Sequence, residues 1–142
     1  MRAVPGGLAS LPLPLVLLFA APVAALLVGF LALHRRAPRW TPVPILASCA
    51  VVAACAVWLL SRVALTGYGI DLPLWTWMVA GEWGFSFGVR LDGLSASVLG
   101  MVAVVGGLIH VYAWTYMAED EGLSRFFLAF NVFFLAMLGL VL

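Results

Sequence analysis

The sequence predicts an all-α membrane protein: four transmembrane helices with an outer-face β-hairpin between the second and the third. Three observations carry this. The 142-residue chain is 65% hydrophobic and only 9% charged, where a soluble domain carries roughly 25% charged residues. Four apolar runs, each close to the ~20 residues that a bilayer crossing needs, are separated by short polar stretches. Between the second and third runs, apolar and small or polar residues alternate around a glycine turn. Net charge is +1, which excludes the basic surface of a nucleic-acid binder. The expected surroundings are a lipid bilayer.

The first crossing is expected over residues 11–33, within a charge-free stretch from Ala3 to Leu33. The small-residue run A-A-P-V-A-A resembles a signal-peptide cleavage site. The apolar stretch nevertheless continues well past the 7–15 residues of a signal h-region and stops at His34, Arg35 and Arg36. It therefore reads as a membrane helix, kinked at Pro22, which has no backbone N–H to donate. Arg35, Arg36 and Arg39 make the densest positive cluster, with Trp40 at interfacial depth. The positive-inside rule puts this loop in the cytoplasm and the N-terminus outside. Arg125 joins the inner set, against Arg2, Arg62 and Arg90 outside.

The second crossing is expected over residues 42–60. Its prolines are confined to the start, where a missing amide matters least, and its alanines and Ser48 favour close helix packing. Cys49 and Cys55 are six apart, about 240° around a helix, so they do not bridge each other and read as small packing residues. Residues 61–92 are the extended segment. Trp75, Thr76, Trp77 and Met78 precede Gly81, and the run from Phe85 to Leu91 alternates after it. That pattern is either a β-hairpin or an aromatic loop lying on the membrane surface; the hairpin is favoured. Two strands alone are marginal in water, so the hairpin is expected to pack on other loops or on a partner subunit.

The third crossing is expected over residues 93–117, with Asp92 suited to cap it. Gly93, Ala96, Ser97, Gly100, Ala103 and Gly107 recur at steps of three or four and make a small-residue seam, which His110 extends. His110 is the only histidine within a crossing. It reads either as a proton-relay group or as a neutral imidazole hydrogen-bonded to a neighbouring helix. Glu119, Asp120 and Glu121 form a solvated acidic turn. Arg125 begins the fourth crossing, residues 126–142, in which Asn131 is expected to bond across to another helix. No polar anchor follows Leu142, so a C-terminal truncation is expected.

These residues carry a resemblance. F-G-V-R-L-D-G-L-S-A, G-G-L-I-H-V-Y, Y-M-A-E-D-E-G and S-R-F-F-L-A-F-N-V-F are similar to the N-terminal region of the antiporter-like membrane subunits of complex I. The branch most resembled is subunit L of NADH-quinone oxidoreductase, the counterpart of mitochondrial subunit 5. The resemblance is strongest over residues 85–142; residues 1–84 share the plan of two crossings and an outer hairpin. It implies a bundle of more than a dozen helices in the bacterial inner membrane, coupling respiratory electron transport to proton translocation. Partners implied are the other membrane and hydrophilic subunits of complex I, and NAD, FMN, iron–sulfur clusters and quinone are expected in those partners.

The family's pumping glutamate, in a G-W-E motif after the fourth helix, and its key lysines have no counterpart here. Gly81-Glu82-Trp83 has the same letters in another order and lies in the hairpin. The chain alone is therefore expected to have no catalytic, cofactor or metal site and not to pump. His110, Asn131, Asp92 and Arg125 remain as polar or packing candidates. A multi-chain cation/proton antiporter, a membrane-bound hydrogenase, or a small structural or assembly membrane protein are the alternatives.

Overall fold

The computed structural model describes residues 13–34, 40–67, 69–81 and 83–142. The arginine cluster at 35, 36 and 39, residues 11 and 12 of the first expected span, and Glu82 lie outside the described residues. In chain order the elements are α1 (Leu13–His34), α2 (Pro42–Thr66), β1 (Ile70–Ala80), β2 (Trp83–Leu91), α3 (Gly93–Tyr116) and α4 (Leu123–Val141). All four helices are long and apolar enough to cross a membrane.

Each helix buries a stripe whose members are spaced by three and four. On α1 these are Leu15, Leu18, Pro22, Ala25 and Gly29; on α2, Ile45, Cys49, Val52, Ala56, Leu59 and Val63. On α3 the stripe includes Ala96, Leu99, Ala103, His110 and Ala113, with one step of seven between Ala103 and His110, and on α4 Ser124, Phe127, Asn131, Phe134 and Leu138. A mean step of 3.5 residues keeps a stripe facing its neighbours along the whole crossing. α1 and α3 each pack on both α2 and α4, and α2 and α4 touch across the middle. Large side chains on the outward faces, such as Phe30, Met101, Leu108 and Phe133, remain exposed, as suits contact with lipid or with further helices.

The small-residue seam on α3 is narrower than its spacing suggested. Ala96, Gly100, Ala103 and His110 are buried, whereas Gly93 and Ser97 are exposed. Gly93 sits at the helix end, and Ser97 lies about 100° around the axis from Ala96; its hydroxyl bonds back to the Gly93 carbonyl at 2.8 Å.

α2 is longer than expected: it runs to Thr66 and not to residue 60. Twenty-five residues at ~1.5 Å each exceed the ~30 Å hydrocarbon core, so the last turns enter the polar interface. There the polar groups are satisfied locally. Ser61 and Thr66 donate to the carbonyls of Trp58 and Arg62, both at 2.7 Å. The Arg62 guanidinium lies 5.5 Å from the Trp58 ring centroid. Gly67, at φ 67°, ends the helix with its N–H on the Val63 carbonyl. α4 likewise begins at Leu123, three residues before the expected start, behind a turn in which Asp120 accepts from the Gly122 N–H.

β1 and β2 form an antiparallel two-stranded sheet, with Gly81 at φ 62° in the turn between them. The register pairs Leu72 with Val89, Trp75 with Phe87 and Met78 with Phe85. Between these, Asp71 faces Arg90, Thr76 faces Ser86 and Val79 faces Gly84. Opposed residues share a face, so one face is apolar and aromatic and the other polar or small. Two bulges, between Pro73 and Trp75 and between Thr76 and Met78, keep that separation; without them Trp75 would fall on the polar face. Trp75 stacks on Phe87 at 6.4 Å, with Trp77 tilted against the same ring at 6.1 Å. At the base, Leu72 and Leu91 are buried and the Arg90 N–H donates to the Leu142 carbonyl at 2.8 Å. The outer half, including Trp75, Trp83 and Phe85, is exposed.

Asp92 joins hairpin to helix. Its carboxylate accepts from the Ser95 N–H at 2.8 Å while its own N–H donates to Ser95 Oγ at 2.9 Å, a capping box. The Ser95 N–H, then the Ser95 hydroxyl, and more weakly Arg90, hold the Asp92 carboxyl below the usual carboxylate range. A depressed folded-state value stabilises the fold above the unfolded pKa, and that stabilisation is lost as pH falls through the folded value. Asp92→Ala is expected to lower stability at neutral pH. Asp92→Asn, which retains an acceptor, is expected to keep most of it and flatten the acid limb. Unfolding midpoints in micelles across acid to neutral pH test this; an unchanged acid limb in Asp92→Asn would contradict it.

Candidate functional site

Among the described residues the buried polar side chains are Thr41 and Ser48 at the start of α2, His110 on α3, and Ser124 and Asn131 on α4. Because α3 places small residues along its buried stripe, the aromatic side chains of α4 can approach its backbone. A Cβ added to Gly106 would stand 2.5 Å from Phe134 Cε2, so only glycine fits there. One turn on, His110 is fully buried. Its ring stacks on Phe130 at 4.2 Å, with Phe134 edge-on at 5.3 Å and Phe127 tilted at 6.2 Å.

His110 Nδ1 lies 2.7 Å from the Gly106 carbonyl. A carbonyl oxygen only accepts, so Nδ1 carries a proton, and in the neutral form of the ring Nε2 presents a lone pair. The expected hydrogen bond from His110 to a neighbouring helix is therefore corrected. The bond is made within α3, because a side chain four residues on reaches back to the carbonyl of the preceding turn. His110 Nε2 has no partner among the described residues.

Asn131 is also fully buried. Its Nδ2 donates to the Pro22 carbonyl of α1 at 3.0 Å, and its Oδ1 has no partner among the described residues. At the ends of α2 and α4, Thr41 Oγ1 donates to Ser124 Oγ at 3.1 Å, both groups being buried.

The four sequence candidates do not form one site. His110 and Asn131 lie within the bundle, His110 packed on the phenylalanines of α4 and Asn131 bonded to α1. Asp92 caps the start of α3, and Arg125 is exposed in the first turn of α4, at the opposite end of the bundle. Cys49 and Cys55 are free thiols on α2, and among the described residues no three His, Cys, Asp or Glu side chains gather as a metal would need. The arrangement holds hydrogen-bonding side chains in the buried interior, and among the described residues they are not brought together as an acid–base pair. Sequence reasoning missed the partners: the Pro22 carbonyl, the Thr41–Ser124 pair and the phenylalanine box. The spacing of Phe127, Phe130 and Phe134 was the available signal for the last.

Two substitutions test this packing. Gly106→Ala forces a methyl into the Phe134 ring and is expected to cost about 1–3 kcal/mol, the usual penalty of overpacking. Asn131→Leu removes an interhelical hydrogen bond and is expected to cost about 0.6–1.7 kcal/mol. Unfolding in mixed micelles measures both, and a Gly106→Ala protein as stable as the parent would contradict the close approach.

Comparison with known proteins agrees with this architecture. The family described as NADH-ubiquinone oxidoreductase (complex I), chain 5 N-terminus, matches residues 77–127. NADH-quinone oxidoreductase subunit L of Pseudomonas aeruginosa is 40% identical over 137 residues, covering 92% of this chain and 21% of that protein. The subunit L of Escherichia coli is 51% identical over 70 residues, 49% of this chain and 11% of that one. The chloroplastic NAD(P)H-quinone oxidoreductase subunit 5 of Brachypodium distachyon is 37% identical over 82 residues, 58% of this chain and 11% of that one. The chain thus spans about a fifth of the P. aeruginosa relative, and the similarity reaches well beyond residues 85–142. By sequence, this chain of four candidate membrane spans is similar along most of its length to members of the complex I chain 5 (subunit L) family, and its residues 77–127 match that family's N-terminal region.

Proposed function

We propose that the chain is the N-terminal segment of a proton-translocating membrane subunit of an NADH-quinone oxidoreductase. The observation that carries this is the 40% identity to the P. aeruginosa subunit L along 92% of the chain. In this reading the four-helix bundle frames one end of a larger helical subunit, and electron transfer in partner chains supplies the energy. NAD, FMN, iron–sulfur clusters and quinone belong to those partners. A charged proton axis requires several ionisable groups along the span; of the buried residues His110 and Asn131 only His110 is ionisable, and in this reading the segment does not pump by itself. The N-terminus and hairpin face outward and the acidic turn faces the cytoplasm, an orientation supported by Arg35, Arg36, Arg39 and Arg125.

His110 serves in this reading as a packed, neutral imidazole and not as a relay. What supports this is that its one N–H is committed to Gly106 and that phenylalanine rings stack or abut its ring.

Two measurements test the proposal. An antibody against the hairpin, applied to native gels of host membranes, is expected to detect the chain in the band that oxidises NADH. Migration only with other membrane chains would favour an antiporter assembly, and a small free species would favour a structural protein. His110→Asn keeps a donor near the Nδ1 position and is expected to preserve assembly and NADH-driven proton uptake into inverted vesicles. Lost uptake with intact assembly would instead make Nε2 a proton carrier.

A further inference from the structure

Pro22 and Asn131 meet near the middle of α1 and α4, and between them they create two buried hydrogen-bond acceptors. Pro22 has no N–H, so the carbonyl of Leu18, four residues earlier, cannot receive its helical bond. The proline ring also crowds that carbonyl and turns it away from the helix axis. Leu18 and Pro22 lie on the same buried stripe of α1, and Leu18 is fully buried. Opposite them, Asn131 commits Nδ2 to the Pro22 carbonyl at 3.0 Å. Reversing the amide would set two acceptors against each other, so the remaining amide atom is Oδ1, which is buried and without a partner among the described residues. The Leu18 carbonyl lies one turn along α1 from the Pro22 carbonyl, about 6 Å away along the axis.

Two acceptors, with no donor to Asn131 Oδ1 among the described residues, call for a small molecule with two donors. We propose that α1 and α4 hold a buried water that donates one hydrogen bond to Asn131 Oδ1 and the other to the Leu18 carbonyl. Water matches the demand in number, since each of its two O–H groups satisfies one acceptor, and polar sites with several partners are where interior waters are held. The missing N–H at Pro22 and the polar residue at 131 then form one device. Asn131 ties down the carbonyl of Pro22, and the water closes the bond that the proline leaves open. This inference rests on the α1–α4 contact and is independent of the proposed role in proton translocation.

The test is a high-resolution density map of the intact assembly, for the parent and for Pro22→Ala. The substitution keeps the residue 22 carbonyl that Asn131 grips and supplies the missing N–H to Leu18. The parent is expected to show one solvent peak about 2.6–3.2 Å from both Asn131 Oδ1 and the Leu18 oxygen, and Pro22→Ala is expected to lose it. The proposal is overturned by a parent map that resolves other interior waters but none here. It is equally overturned by a side-chain donor from elsewhere in the assembly in that position, or by a peak of unchanged strength in Pro22→Ala. The parent map decides the question even if the variant does not assemble.

Discussion

The bundle depends on how closely α3 lets its neighbours approach. In lipid, burying apolar side chains between helices gains little, because the hydrocarbon outside is as apolar as the contact inside; association comes from close packing and a few hydrogen bonds. α3 supplies the approach with Gly100, which meets Leu60 of α2, and Gly106, which meets Phe134 of α4. The same pairing of small with large recurs where Gly29 of α1 meets Leu128, Thr41 and Ile45. Once the backbones are this close, the polar side chains within the contact are sealed from lipid and must find partners in protein. His110 finds its own helix and Asn131 finds the carbonyl of Pro22. These two contacts differ in consequence, since only the second ties one helix to another.

The hairpin obeys the opposite physics. It lies beyond the helix ends, where the backbone of a two-stranded sheet can be hydrated, and apolar burial regains its force. Its base is held by Leu72 and Leu91 and by the ends of α3 and α4, and the capping box at Asp92 sets the angle at which strand becomes helix. The apolar ladder that starts in this buried base continues outward through Trp75, Phe87 and Phe85 without being covered by the rest of the chain. Two bulges preserve that ladder along strands of unequal length, which joins the shape of the arm to its one-sided chemistry.

Much of this was legible in the sequence because membrane insertion leaves long unambiguous signals. The four spans, the hairpin and the Asp92 cap follow from apolar length, alternation and spacing. What was not legible depended on contacts between elements. Ser61 and Arg62 look like the end of a span, yet a helix can carry polar residues through the interface when they bond or stack on the preceding turn, as Ser61, Thr66 and Arg62 do, and α2 runs on to Gly67. The bulges at β1 are invisible in a single strand, because they arise only when β1 is laid against the shorter β2. His110 and Asn131 were identifiable as buried polar groups, but their partners are backbone carbonyls, which carry no residue signature. Pro22 was read as a kink; what the structure shows is its carbonyl accepting from Asn131.

The central claim is a sided bundle in which one crossing, α3, separates the aromatic hairpin from the acidic turn. Site-specific labelling tests it most directly. In a Cys49→Ala, Cys55→Ala background, Val79→Cys in the hairpin and Glu121→Cys in the turn are treated with a membrane-impermeant maleimide in sealed right-side-out vesicles. The account predicts that Val79→Cys reacts from outside and Glu121→Cys only after the vesicles are opened. Reaction of both from the same side would contradict it.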